Sequence, residues 1–137
     1  MGTQLQEVYD AFFIKVPNTD FSGQQQLVYQ LFKASLSHCY KTVSESLQYT
    51  ITPVNTYDGV FYDILGQDTI ELISLYMKRE LYRRLLDKYS DIKQHVGTQA
   101  FNKLPNMIEQ SKEARQIYDS LNDEIDKFKQ EFYEYSN

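Results

Sequence analysis

The stretch LGQDTIELISLYMKRELYRRLLDKYSDIKQHVGTQAFNKLP, residues 65–105, decides the fold. Ile70, Ile73, Met77, Leu81 and Leu85 recur every three or four residues and so share one side of a helix. Leu72, Leu75, Tyr82 and Leu86 fall on roughly the opposite side. A helix apolar on two faces has to be covered twice. It is therefore the central helix of the fold, or one whose second face meets another subunit. Asp68 and Glu71 occupy its first turns, where negative charge is favoured.

Glu80 and Arg84 lie within the apolar stripe, four residues apart with the acid first, the favourable order for a helical ion pair. Flanked by Met77, Leu81 and Leu85, this pair is expected to be semi-buried and available to another subunit, with Arg79 and Arg83 beside it. Residues 78–103 hold seven basic residues (Lys78, Arg79, Arg83, Arg84, Lys88, Lys93 and Lys103) against three acidic ones, a net of +4. Residues 111–137 hold four basic and seven acidic residues, a net of −3. Such asymmetry suits head-to-tail contact between identical chains, because one copy's basic band can face the next copy's acidic one. A plain solvated basic face is the other reading.

Outward from the centre, a first helix is expected over 3–15, with Leu5, Val8, Tyr9, Phe12 and Val16 as its apolar stripe. Pro17 ends it, and residues 17–23 form a turn-rich loop. A second helix is expected from about 24 to 47, with Leu27, Leu31, Ala34 and Val43 along one side. On it His38 and Cys39 point about 100° apart and cannot chelate one metal together. Cys39 reads as a small buried hydrophobe and His38 as a surface or rim residue.

Residues 49–65 allow a short two-stranded excursion, since Thr50, Ile51, Thr52 and Val54 favour strands and Asp58-Gly59 signals a turn. The preferred reading is an irregular crossover that lays Val60, Phe61 and Ile64 on the core. A last helix is expected over about 106–135, with Asn106 as its N-cap. Ala114, Ile117, Leu121, Ile125, Phe128, Phe132 and Tyr135 form its seam, which either closes the core or meets a partner.

The composition fits this all-α reading: five Gly and three Pro in 137 residues leave few helix breakers. That length is one domain by size, with a helical core over 3–95, a loop over 96–105 and the last helix beyond. Twelve Tyr and eight Phe with no Trp lean towards an assembling surface, since Tyr suits half-buried interface positions. A net charge of −5 argues against a dedicated nucleic-acid binder. No apolar run approaches the ~20 residues that cross a bilayer. The N-terminus has no basic and apolar leader pattern, so neither membrane insertion nor a secretory signal is expected. The single Cys39 allows no internal disulfide.

No GxGxxG, GxxxxGK, GxSxG or CxxC pattern occurs, and the two histidines are far apart. Acid pairs such as Asp123-Glu124 sit on a solvated helix face, where nothing shifts a pKa towards general acid/base work. No enzymatic activity, metal or cofactor is expected.

Two stretches carry a family resemblance. LQEVYDAFFIKV (residues 5–16) is similar to the opening helix of head–tail connector proteins of tailed bacteriophages. Further on come Ile64-Leu65, a short cap, IELISLYM, a basic link and VGTQAFNKLPN (residues 96–106), then a long acidic helix ending in aromatics. That order resembles the neck or adaptor proteins encoded next to the portal in phages of Gram-positive hosts. Where those proteins tend to carry a Trp and a Pro near the end of the central helix, this sequence has Glu80-Leu81-Tyr82-Arg83-Arg84.

The resemblance implies a small helical bundle with a long C-terminal helix or arm. It implies a virion neck protein, assembled in the host cytoplasm, that forms a closed ring on the order of a dozen copies. The ring would sit beneath the portal protein, meet head-closure or tail proteins, and extend the DNA channel without reading sequence. By the same analogy the loop of Gly97, Phe101, Lys103, Leu104 and Pro105 contacts portal or neighbour. So do the C-terminal aromatics Phe128, Phe132, Tyr133 and Tyr135. An alternative is a helical module that binds a host or regulatory protein through its C-terminal helix.

Overall fold

The computed structural model describes residues 2–55 and 57–134. Helix α1 (Leu5–Lys15) opens the chain. The Gln4 N–H donates to the Glu7 carboxylate at 3.0 Å, which occupies one of the amides that a helix start leaves without a partner. Pro17 follows the last turn and stops it. Helix α2 (Gln25–Cys39) comes next. It is about 22 Å long at 1.5 Å per residue.

The helix expected to reach residue 47 ends at Cys39. The Cys39 carbonyl accepts both the Thr42 N–H (3.0 Å) and the Val43 N–H (3.1 Å), which closes the last turn. The following segment is tied elsewhere. The Ser46 N–H donates to Asp63 at 2.7 Å, and the Glu45 carboxylate accepts the Gly66 N–H at 2.7 Å and the Thr69 hydroxyl at 2.9 Å. Val43 and Leu47 still reach the core, delivered by a loop instead of a helix.

The crossover is a hairpin, not an irregular run: β1 (Tyr49–Ile51) pairs antiparallel with β2 (Gly59–Phe61) in the register Tyr49 to Phe61. The chain start adds to β2, where the Phe61 N–H donates to the Thr3 carbonyl at 2.7 Å. Alternation along β2 turns Phe61 inward and leaves Val60 half-exposed. Ile64, expected on the core, is 76% exposed; its neighbour Leu65 is buried in its place. The Leu65 N–H donates to the buried Thr3 hydroxyl at 2.8 Å, and this fixes which of the two side chains points in.

Gly59 is where strand approach demands glycine: a Cβ there would lie 2.0 Å from the Thr50 carbonyl oxygen. Gly59→Ala is expected to push the strands apart and cost about 1–3 kcal/mol, as overpacking does. Accelerated amide exchange at Thr52 and Tyr62, which bond to Asp58 and Gln48 across the hairpin, would register it.

Helix α3 (Gln67–Val96) is the central helix, 30 residues long. It packs against α1, α2 and the last long helix, α5 (Pro105–Lys129). Both of its apolar faces are covered by the same chain up to Glu80: Ile70, Leu72, Ile73, Leu75 and Met77 are all buried. Past Glu80 no described residue of α3 is buried, and Leu81, Tyr82, Leu85 and Leu86 are half-exposed. The final four turns of α3 and the start of α5 thus form an antiparallel arm beyond the core.

At its tip the expected loop contains a short helix, α4 (Thr98–Asn102). Helix α5 starts on Pro105 itself, where a missing N–H costs nothing, instead of after an Asn106 cap. Its seam closes the core: Ala114, Leu121 and Ile125 are buried. A π-helical turn (Gln130–Glu134) follows. The chain is thus mostly helical, with five α-helices among the described residues and one small two-stranded sheet.

Candidate interaction surface

The surface is organised by Glu80, only 8% exposed at the base of the arm. Its carboxylate accepts the Arg83 Nε–H at 3.0 Å and a second hydrogen bond from the Arg83 Nη2. The expected i, i+4 partner is also present, with Arg84 Nε at 3.5 Å. Arg83 reaches on to Asp87 at 2.8 Å, and Arg84 donates to Gln30 of α2 at 3.2 Å. The hydrogen bonds from Arg83 hold the Glu80 carboxyl below its ordinary range, against a desolvation that would raise it. Arg83 and Arg84 are therefore both held at one buried acid.

Arg79 takes a different path. It donates to Asn122 of α5 at 3.1 Å and lies 4.6 Å from the centre of the Tyr76 ring. His38 stacks on that same ring at 5.1 Å and 11°. His38 is on the rim, as expected, and Cys39 is fully buried. Burial lowers the His38 pKa from its ordinary 6.5. Arg79, Lys129 and Arg83 act in the same direction and Glu80 opposes them. The folded state thus disfavours the imidazolium, and stability should fall as pH drops through 6.5 towards the lower folded value. His38→Gln should flatten the slope in that window, apart from a pH-independent loss of the stack on Tyr76, as urea titrations at stepped pH would measure. The Glu80 contribution lies lower, lost only as pH falls below the ordinary carboxylate range.

At the arm tip Gly97 sits at φ 83°, a conformation glycine adopts without strain. Phe101 turns inward and is 7% exposed, beneath Lys93, whose Nζ lies 5.8 Å from the ring centre. Leu104 is 41% exposed, and Lys103 and Pro105 are exposed beside it. Of the loop's two expected anchors, one belongs to the fold and one faces outward.

The C-terminal aromatics divide likewise. Phe128 packs against the core and lies 4.6 Å from Phe132, which is 40% exposed. The Thr69 hydroxyl gives its proton to Glu45, so the Tyr133 hydroxyl, 3.2 Å away, is the donor to Thr69. Tyr135 lies outside the described residues. Among the described residues no ion pair joins α3 to α5.

One feature escaped sequence reasoning. A cleft of about 480 Å³ opens between α1, the loop after it, the start of α2 and the hairpin tip. Phe13, Pro17, Phe21 and Tyr57 supply its walls, and Asp20 and Asp58 are its only charged residues among the described ones. The Tyr9 hydroxyl donates to the Tyr57 carbonyl at 2.7 Å and ties hairpin to helix. Its parts run from Gln6 to Asp58, and no periodicity announces them.

No group of His, Cys, Asp and Glu able to hold a metal occurs among the described residues. No described helix is long and apolar enough to cross a membrane. The chain matches no protein-family model, no curated protein and no solved structure.

Proposed function

We propose that this chain is a structural virion protein of a tailed phage, a head–tail connector. It would assemble into a ring at the neck that joins portal to tail and extends the DNA channel. The fold it would use is a small helical bundle with a protruding two-helix arm. The carrying observation is the charge distribution along the two long helices: α3 carries Lys88 and Lys93 on the arm with Arg83 and Arg84 held by Glu80, while α5 carries Asp119, Asp123, Glu124 and Asp126 nearer the core, with no ion pair between the two helices among the described residues. Two unlike surfaces on one chain are what a closing head-to-tail contact requires. The resemblance of residues 5–16 and 96–106 to connector proteins supplies the neck assignment.

The competing reading, a partner-binding C-terminal helix, has less to work with. Ala114, Leu121 and Ile125 are committed to the core, which leaves Phe132 as the exposed member of the seam among the described residues.

The test mixes the purified chain with the portal protein of the phage it would come from, followed by sedimentation and negative-stain imaging. A collar of closed rings is expected, weaker at high salt because its contacts are charged. Absence of both co-sedimentation and a collar would overturn the reading.

A further inference from the structure

We infer that the cleft between α1, the loop after it and the hairpin tip is the socket for the arm tip of a second copy of this chain. This names the contact within the ring proposed above and rests on that reading.

Three observations converge. The cleft is apolar-walled yet carries two carboxylates and no cation, so it suits an occupant that is both apolar and basic. The arm tip is such an object: Val96 and Leu104 are 46% and 41% exposed, on the same segment as Lys93 and Lys103. Lys103 makes no ion pair among the described residues, and so is available to a partner. Finally, no residue of α3, α4 or α5 lines the cleft, so socket and tip are separate patches.

In the docked pair Leu104 seats against the wall made by Phe13 and Phe21, whose rings lie 5.6 Å apart. Lys103 faces Asp20 at the exposed rim. Because the patches differ, each copy offers one tip and one socket, and the contact propagates from copy to copy until it closes.

The experiment reverses each charge separately in the full chain, Asp20→Lys and Lys103→Glu. Self-association is then measured by sedimentation velocity, alone and with portal protein, with circular dichroism as the check on folding. Each single reversal should weaken association at least tenfold. Mixing the two variants should restore it, since the reversed tip of one then meets the reversed socket of the other and the unreversed tip and socket also meet. Rings that form unchanged in both variants would overturn the socket while leaving the connector reading intact. Weakening that mixing does not relieve would overturn the pairing of these two surfaces. A wild-type chain that associates with neither itself nor portal would overturn both readings.

Discussion

Phe32→Ala should cost about 3–5 kcal/mol, the usual loss for deleting a fully buried aromatic ring. Phe32 is 0% exposed and is the ring on which three parts of the chain meet. Tyr9 of α1 approaches it edge-on at 5.6 Å, Tyr49 of β1 at 5.4 Å and Phe61 of β2 at 5.8 Å. Each edge-to-face pair adds roughly 0.5–1.5 kcal/mol beyond its buried area. Removing the ring therefore loosens α1 and the hairpin together. The melting temperature should drop by at least about 6 °C, given roughly 2–8 °C per kcal/mol for chains around this size. A Phe32→Leu variant, which leaves a smaller cavity, should lose less than half as much. Equal losses would mean that the edge-to-face contacts, which both variants lack, carry the effect and the cavity volume adds little.

Glu80→Lys is the second large effect. The lysine would enter a nearly buried position beside Arg83 and Arg84, with Arg79 close by on the same helix, and no acid would compensate it. Leaving a buried charge unpaired costs about 3–5 kcal/mol. The conservative Glu80→Gln keeps the shape and one acceptor, and should cost only about 1–2 kcal/mol. Urea unfolding of both variants checks this, with unchanged m-values showing that the effect lies in stability. The reach goes further than stability, because Arg83 and Arg84 lose the anchor that fixes their direction. Glu80→Gln should therefore also weaken assembly, without touching the arm tip.

The readable parts of this chain are those where one element carries its own pattern. The stripe from Leu5 to Phe12, the doubly apolar start of α3 and the seam from Ala114 to Ile125 lie where their spacing puts them. Reading failed where a pattern continued across a break in the backbone. Val43 and Leu47 keep helical spacing with α2, yet the Cys39 carbonyl closes the helix before them. The choice between Ile64 and Leu65 was equally illegible, since the deciding partner, Thr3, is 62 residues away. At the surface, the Glu80–Arg84 pair was visible because it is local. Arg83 doubles it from i+3, and Arg79 leaves it for Asn122, a partner only folding supplies. The second face of α3 needed no second copy up to Glu80; α1, α2 and α5 cover it.

The arm has a dynamic consequence. Opening free energies within one protein range from near zero at loosely packed ends to the full global value in the core. Residues 70–80 of α3 lie in the core, so their amides should exchange with solvent only when the whole chain unfolds. Residues 86–96 have no buried side chain among them. Their amides should exchange through fraying that leaves the rest intact, with a protection boundary falling near Glu80. One continuous helix thus divides into a fixed half and a yielding half, and a copy that meets its neighbour through the yielding half can adjust its reach without disturbing its core.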